Sequence, residues 1–442
     1  VICLVKVLLI GNGAREHAIA EALVKGGAEL YAYMGKRNPG IARLCNERVR
    51  VGSLEDFTSI AEFGKGCTFA ICGPEAPLTA GIADSLGAQG IPVAGPSIEA
   101  AQLEGSKIFT RTLLQKYNIA ANIQFKIFTS MDGVFDFITQ IGRENVVVKP
   151  DGLTGGKGVK VWGDHLNSVQ EIEDYCKEIL QGGGRIIIEE KLDGQEFTYM
   201  VFVDGEHVIG TPLVQDNKRA YNDDKGPNTG GMGSYSMPDH LMPFISREDV
   251  DFAHKQIELT VQALFKETGV KYKGVLYGQF MKCRQGIRLI EYNARFGDPE
   301  NINILPIMKT NFVDICQQMI DGTLKGPVEF ENKATVVKYL VPEGYPVSPK
   351  VKCEIKVDED GMRKVGGRYY YASVSEENGK ILTSSSRTVA VLGVADTIED
   401  AEKIAENATK MVHGPLFHRT DIGTKKIIDR RTKHMHSILN PE

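Results

Sequence analysis

Apolar residues in the first hundred positions fall into short dense runs: VKVLLIG from Val5, ELYAYMG from Glu29, CTFAICGP from Cys67 and IPVAGP from Ile91. Runs of this length, bounded by glycine and proline, predict strands buried on both faces. Helical spacing between about Arg15 and Lys25 predicts a helix after the first of them. Strands alternating with helices make a parallel α/β domain, in which ligands bind beyond the carboxyl ends of the strands. Two strand-ending turns should therefore face one crevice: Gly11, Asn12, Gly13, Arg15 and Glu16 up to His17, and Gly73, Pro74 and Glu75 up to Pro77.

A second helix is expected from Ser106 to Lys116, and VVVKPDG (Val146 to Gly152) reads as a buried strand running into a glycine-rich turn. RIIIEEKL, FTYMVFVDG, HVIGTPLV, LYGQFMKC and IRLIEYN then predict antiparallel strands. Between them Gln215 to Ser236, rich in Gly, Asn and Asp, reads as a long functional loop. After about Gly326 the pattern becomes short strands (ATVVKYLV, KVKCEIKV, GRYYYASV, RTVAVLGV) and one helix from about Thr397 to His413, a small α+β cap. The fold class is multidomain α/β and α+β, with an N-terminal α/β substrate-binding domain at residues 1–105, a middle domain at 106–325 and an α+β domain at 326–442.

A length of 442 residues suits two to four domains, and 42% hydrophobic with 25% charged residues is ordinary for globular chains. A net charge of -5 gives no basic field for nucleic acid, so small ligands are the expected partners. The eight cysteines are scattered without a CxxC pair, and the apolar start from Val1 to Ile10 is interrupted by Lys6 and reads as a buried strand. No membrane partner and a cytoplasmic location are expected. Glycine is abundant, 47 residues against a usual share of about 7%, so the places where it clusters matter.

The first cluster, Gly11-Asn12-Gly13-Ala14-Arg15-Glu16, is an incomplete GxGxxG, weak as a dinucleotide signal. It suits either a plain strand-to-helix turn or an anion contact at a helix N-terminus, with Arg15 supplying charge. The second, Lys149-Pro150-Asp151-Gly152-Leu153-Thr154-Gly155-Gly156-Lys157-Gly158, is not a Walker A loop. Its glycines can cradle phosphates, and Lys149 at a strand end can offset their charge. Acids where the apolar strand of RIIIEEKL (Arg185 to Leu192) ends could bind adenine and ribose, Glu196 accepting from ribose hydroxyls and the backbone near Glu190 and Leu192 pairing with the adenine edge, although acids at a strand end are commonplace. The period of two in LIEYNARFGDPE puts Glu291, Asn293 and Arg295 on one side of a strand, a face fitted to a divalent cation and a transferring phosphoryl group. Asp216, Asn217, Lys218 and Arg219, followed by GPNTGGMG, could bind a carboxylate or phosphate, or simply form a solvated loop.

In order, GNGAREHA, GPEAPL, AQLEGSKIFT, VVVKPDGLTGGKGV, IIIEEKLDGQE, GPNTGGMG, IEYNARFGDPE and FHRTDIG resemble the blocks of the phosphoribosylamine-glycine ligase family of the ATP-grasp superfamily, over nearly the whole chain. The resemblance implies that residues 106–325 are an ATP-grasp domain clamping ATP. It implies that Lys107 and Lys149 contact ATP phosphates under a flap of Gly152, Gly155, Gly156, Lys157 and Gly158, with Glu189, Glu190, Leu192 and Glu196 lining the nucleoside pocket. Glu291 and Asn293 would hold Mg²⁺ or Mn²⁺, and Arg295 with Lys149 would act on the transferring phosphoryl group. The two N-terminal turns, Asp216, Lys218, Arg219, Asn228, Thr229, Gly230, Gly231, Asp298, Pro299 and Glu300 would surround glycine and 5-phosphoribosylamine. Departures from the family pattern fall at Pro150, Asn217, Gln279, Ala294 and Ser385-Ser386, and none removes an expected metal ligand or phosphate cation.

The activity so implied is formation of glycyl phosphate from ATP and glycine, then attack by the amine of phosphoribosylamine, in an enzyme of purine biosynthesis whose oligomeric state the sequence leaves open, a monomer being the expectation. No GxSxG elbow or Cys/His pair suggests a protein nucleophile. The rival readings are a sister ATP-grasp enzyme acting on biotin or aminoimidazole ribonucleotide, a non-catalytic ATP sensor, and an NAD-dependent oxidoreductase resting on the incomplete GxGxxG alone.

Overall fold

The computed structural model describes residues 4–154 and 158–441. Gly155, Gly156 and Lys157 of the expected flap, and Val1 to Cys3 of the expected first strand, lie outside the described residues.

The N-terminal sheet is parallel, in the order β3 (Val49–Val51), β2 (Glu29–Met34), β1 (Lys6–Ile10), β4 (Phe69–Cys72). Val7 to Ile10 are wholly buried because helices cover both faces, which is why this strand reads as a continuous apolar run. IPVAGP departs from expectation: it contributes only an isolated bridge, Ala70 to Val93, because proline and glycine stop the ladder on either side. The expected helix is Ala14–Lys25, and it starts where β1 ends, so the Gly11 to Glu16 turn lies at the carboxyl end of the sheet.

A second, antiparallel sheet orders β5 (Phe125–Phe128), β8 (Ile186–Glu190), β6 (Val146–Pro150) and β7 (Lys160–Val161). The chain then runs through β9 (Gly194–Asp204), β10 (Val208–Gly210), β11 (Gln215–Asp216), β12 (Arg219–Tyr221), β13 (Lys225–Asn228), β14 (Gly233–Ser236), β15 (Lys273–Cys283) and β16 (Gly286–Asn293). β10, β9, β15 and β16 form a third sheet.

The segment from Gln215 to Ser236 is not the loop its composition suggests. β12 and β13 pair as a hairpin, and β11 and β14 join β17 (Ala334–Pro342) in a six-stranded sheet with the strands Val389–Ala395, Arg368–Tyr371 and Leu416–Phe417. β17 is buried at all nine positions, so the middle and the end of the chain share one core. The expected late helix is Ile398–Thr409, and a terminal helix that the sequence reading left out spans Lys425–Leu439. Among the described residues no helix is long and apolar enough to cross a membrane.

Candidate active site

The site begins at the end of β16. Alternation holds there: Tyr292, Ala294 and Phe296 are buried, while Glu291, Asn293 and Arg295 share the partly open side. Arg295 lies 3.2 Å from the Glu104 carboxylate and 3.5 Å from that of Glu75, and it donates to Asn293 Oδ1 at 3.3 Å. Its Nε is buried 3.5 Å from Glu75 Oε2 and makes no hydrogen bond. Burial opposes the Arg295 charge, but Glu104 and Glu75 more than offset it and raise its pKa. Burial also raises Glu75, yet Arg295 and Arg15 together bring it below the usual carboxylate range.

The two N-terminal turns do meet. Glu16 receives Arg15 Nε at 2.7 Å and the Gly13 amide at 2.5 Å. Gly73 leaves room for the Glu16 carboxylate, which a methyl group there would displace. The buried Arg15 also donates to the Phe296 carbonyl at 3.3 Å, tying the first helix to the β16 end. Asn12 is otherwise engaged: its Oδ1 accepts from the Gly35 and Lys36 amides.

On the phosphate side, Ser106 caps the helix Lys107–Lys116, and Asp151 accepts from the Ser106 hydroxyl at 3.0 Å and the Ile108 amide at 3.2 Å. This brings Lys107 Nζ to the Gly152 carbonyl at 2.6 Å. Burial and the neighbouring Lys149 lower the Lys107 pKa against the pull of Glu291. Lys149 pairs with Glu189 at 2.6 Å, and Arg111 pairs with the other Glu189 oxygen at 2.7 Å. The Glu189 carboxylate, expected to line the nucleoside pocket, is thus engaged as a buried counterion, 2% exposed, and the two cations hold its pKa at about 2 against burial. Arg111 also donates to the Leu289 and Ile290 carbonyls just before Glu291.

Glu196 accepts from Lys218 at 2.9 Å and from Gln279 at 2.7 Å, while Glu190 accepts from the Gln124 amide and Leu192 stays partly exposed. Burial, and then the charge of Glu300, raise the Asp216 carboxyl well above its ordinary range. Glu300 itself is buried on Tyr277 and Thr198. Thr229 closes its turn by donating to the Lys218 carbonyl. Arg219 points elsewhere, to Asp164 at 2.9 Å, and Asn228 is exposed as its partner in the hairpin.

The residue that sequence reasoning missed is Arg387. It donates to the Gly230, Gly231 and Asp298 carbonyls, pairs with the Asp298 carboxylate at 3.1 Å and lies 4.3 Å over the Tyr339 ring. It therefore joins the glycine-rich turn to the Asp298-Pro299-Glu300 segment. The one signal in the sequence was its place after Ser385-Ser386, where the family pattern is broken.

Among the described residues no three His, Cys, Asp or Glu side chains gather to hold a metal alone. One carboxylate and one amide oxygen, Glu291 and Asn293, fit a Mg²⁺-type ion that shares its remaining positions with phosphates and water.

Comparison with known proteins gives three matches in chain order: phosphoribosylglycinamide synthetase N domain over residues 5–104, its ATP-grasp (A) domain over 105–301 and its C domain over 335–425. The phosphoribosylamine–glycine ligase of Methanocaldococcus jannaschii is 49% identical, covering 98% of this chain and 99% of its own. The crystal structure of phosphoribosylamine–glycine ligase from Thermotoga maritima superposes with a TM-score of 0.80 at 30% identity, covering 94% of this chain and all (100%) of that one. The biotin carboxylase domain of Hydrogenobacter thermophilus 2-oxoglutarate carboxylase, solved with MgADP and bicarbonate, shares the fold with a TM-score of 0.72 at 15% identity, covering 99% of each chain.

Proposed function

The chain belongs to the phosphoribosylglycinamide synthetase family, and from that premise we propose that it is an ATP-dependent ligase joining glycine to 5-phosphoribosylamine in purine biosynthesis. A glycine carboxylate oxygen takes the γ-phosphoryl group of ATP, and ADP leaves. The amine nitrogen then attacks the acyl phosphate, inorganic phosphate departs with the C–O bond electrons, and the amine gives up a proton. The products are glycinamide ribonucleotide, ADP and phosphate.

The observation that carries this reading is the convergence at the end of β16, where Glu291, Asn293 and Arg295 line one side beside Lys107, Arg15 and Glu75. Lys107 and Lys149 offset phosphate charge, and Lys149 is aimed by its buried partner Glu189. Arg295 meets charge that develops on the transferring group. Glu291 and Asn293 would hold Mg²⁺ or Mn²⁺, which when bound neutralises phosphate charge. Arg15, Glu75, Asp216, Lys218, Gly230, Gly231 and Asp298 form the walls for glycine and the phosphoribosylamine. Arg387 fixes those last walls, and Glu196 with Leu192 and the backbone at Glu190 takes the nucleoside. The free cysteines among the described residues support a reducing, cytoplasmic setting.

ADP formation should require glycine and freshly generated phosphoribosylamine together, with glycinamide ribonucleotide as product. Lys149→Ala and Glu291→Ala should each lower turnover at least about 100-fold. ADP release indifferent to either substrate, or full turnover in either variant, would overturn the reading or those two assignments respectively.

A further inference from the structure

The terminal helix Lys425–Leu439 reaches the site by one side chain. Arg431, with its side chain 9% exposed, donates Nη1 to Gln215 Oε1 at 3.0 Å and Nη2 to Asn217 Oδ1 at 2.6 Å. These are the two residues that flank Asp216. Each is fixed further: Gln215 donates to the Glu196 carbonyl at 2.8 Å and accepts from Tyr235 at 2.6 Å, and Asn217 donates to the Gly233 carbonyl at 3.1 Å. Arg431 also pairs with Asp224 at 3.1 Å, at the tip of the hairpin that follows Lys218.

Arg419 completes the grip. It is fully buried and held by both oxygens of Asp421, at 2.9 and 2.8 Å, and it donates to Asp224 at 3.0 Å and to the Arg219 carbonyl at 3.1 Å. Both sides of the stretch Asp216 to Lys218 are therefore clamped from the end of the chain.

The helix does not need Arg431 to dock. Ile427, Ile428 and Met435 are buried and supply the apolar contact. Taking a guanidinium out of water carries a penalty that its fixed partners offset, and removing Arg431 alone would leave the buried Asn217 Oδ1 without that donor. The fork of Arg431 is instead matched to two amide oxygens on either side of a substrate-facing carboxylate, an arrangement that fixes geometry.

We propose that Arg431 is a positioning residue for the two small substrates: the terminal helix sets the orientation of Asp216 and Lys218 through Gln215 and Asn217. This rests on the assignment of Asp216 and Lys218 to the substrate walls. Because small misplacements cost rate steeply, kcat/KM for glycine and phosphoribosylamine depends on Arg431, while the ATP phosphate contacts at Lys107 and Lys149 do not.

The test compares wild type with Arg431→Met and Arg431→Lys. In Arg431→Met we expect a thermal midpoint lowered by a few degrees in a protein still folded at the assay temperature, and kcat/KM for glycine and for phosphoribosylamine reduced at least about tenfold, with a smaller loss for ATP, whose phosphates rest on Lys107 and Lys149. Arg431→Lys, which keeps charge but loses the fork, should fall between. Hydrogen exchange of the 215–231 amides serves as a readout independent of turnover and of the functional reading. It should quicken about tenfold or more in Arg431→Met while β9 and β15 stay protected. Unchanged exchange at 215–231, unchanged kinetics in a folded variant, or a lowered midpoint with equal losses for all three substrates would each overturn the proposal. A wild-type protein that forms no glycinamide ribonucleotide would overturn the functional reading instead, and the exchange comparison would still decide the role of Arg431 in holding this segment.

Discussion

His17 sits on the first helix with its ring between Tyr370 and Tyr371 of the C-terminal region, centroids 5.3 and 6.3 Å away. Its Nδ1 accepts the Tyr371 amide at 3.0 Å, which only a ring nitrogen without a proton can do. Burial and then the nearby Arg43 charge lower its pKa from 6.5 to about 3. The unfolded chain therefore binds a proton that the folded chain refuses between those values. Stability from this group is complete above pH 6.5 and is lost as pH falls toward 3, by about 1.4 kcal/mol per pH unit. Urea unfolding between pH 4.5 and 6.5 should show this slope in wild type and a flatter one in His17→Asn; equal slopes would reject it. His17 was visible in the sequence only as the end of a polar turn, because its partners lie more than three hundred positions away. Arg111, Glu104 and Arg387 escaped for the same reason: a lone charge in an amphipathic or loop pattern looks solvated until a distant chain covers it. Glu291, Asn293 and Arg295 were legible because a strand's period of two is a local property.

At the scale of elements, strands and helices with strong periodicity were readable, and the failures were short pieces whose existence depends on a partner. β11 and β14 have two and four residues; β17 supplies hydrogen bonds to β14, and β14 in turn supplies them to β11. Composition alone made their segment a loop. Gly233 marks the join, with φ at +146° and the space of a side chain filled by the Val337 carbonyl of β17. Gly233→Ala cannot be relieved by turning a side chain, since the obstacle is backbone. It should cost about 2–4 kcal/mol, lowering the thermal midpoint by several degrees in calorimetry. A midpoint unchanged from wild type would mean that β14 and β17 separate without consequence. The terminal helix was missed because its charged face, rich in Lys, Arg and His, dilutes the apolar spacing of Ile427, Ile428 and Met435.

Across the whole molecule, strands from both sides of residue 326 share one sheet, and Arg387 and Arg431 reach back to residues 215–231. Produced separately, fragments 1–325 and 326–442 should each be inactive and poorly soluble, the first with the β17-facing edge of β14 open and the second without its neighbour strand. Refolded together they should recover ADP formation; fragment 1–325 forming product alone at the wild-type rate would contradict this.

The shared sheet also orders events in time. β14 leaves the ribosome about a hundred residues before β17, a delay of roughly 5–20 s at ordinary synthesis rates. During that interval Glu291 emerges, Lys107 and Lys149 are already out, and β14 still lacks its neighbour strand. A chain stopped before β17 is thus left with an open β14 edge during synthesis, the same state that fragment 1–325 presents in isolation.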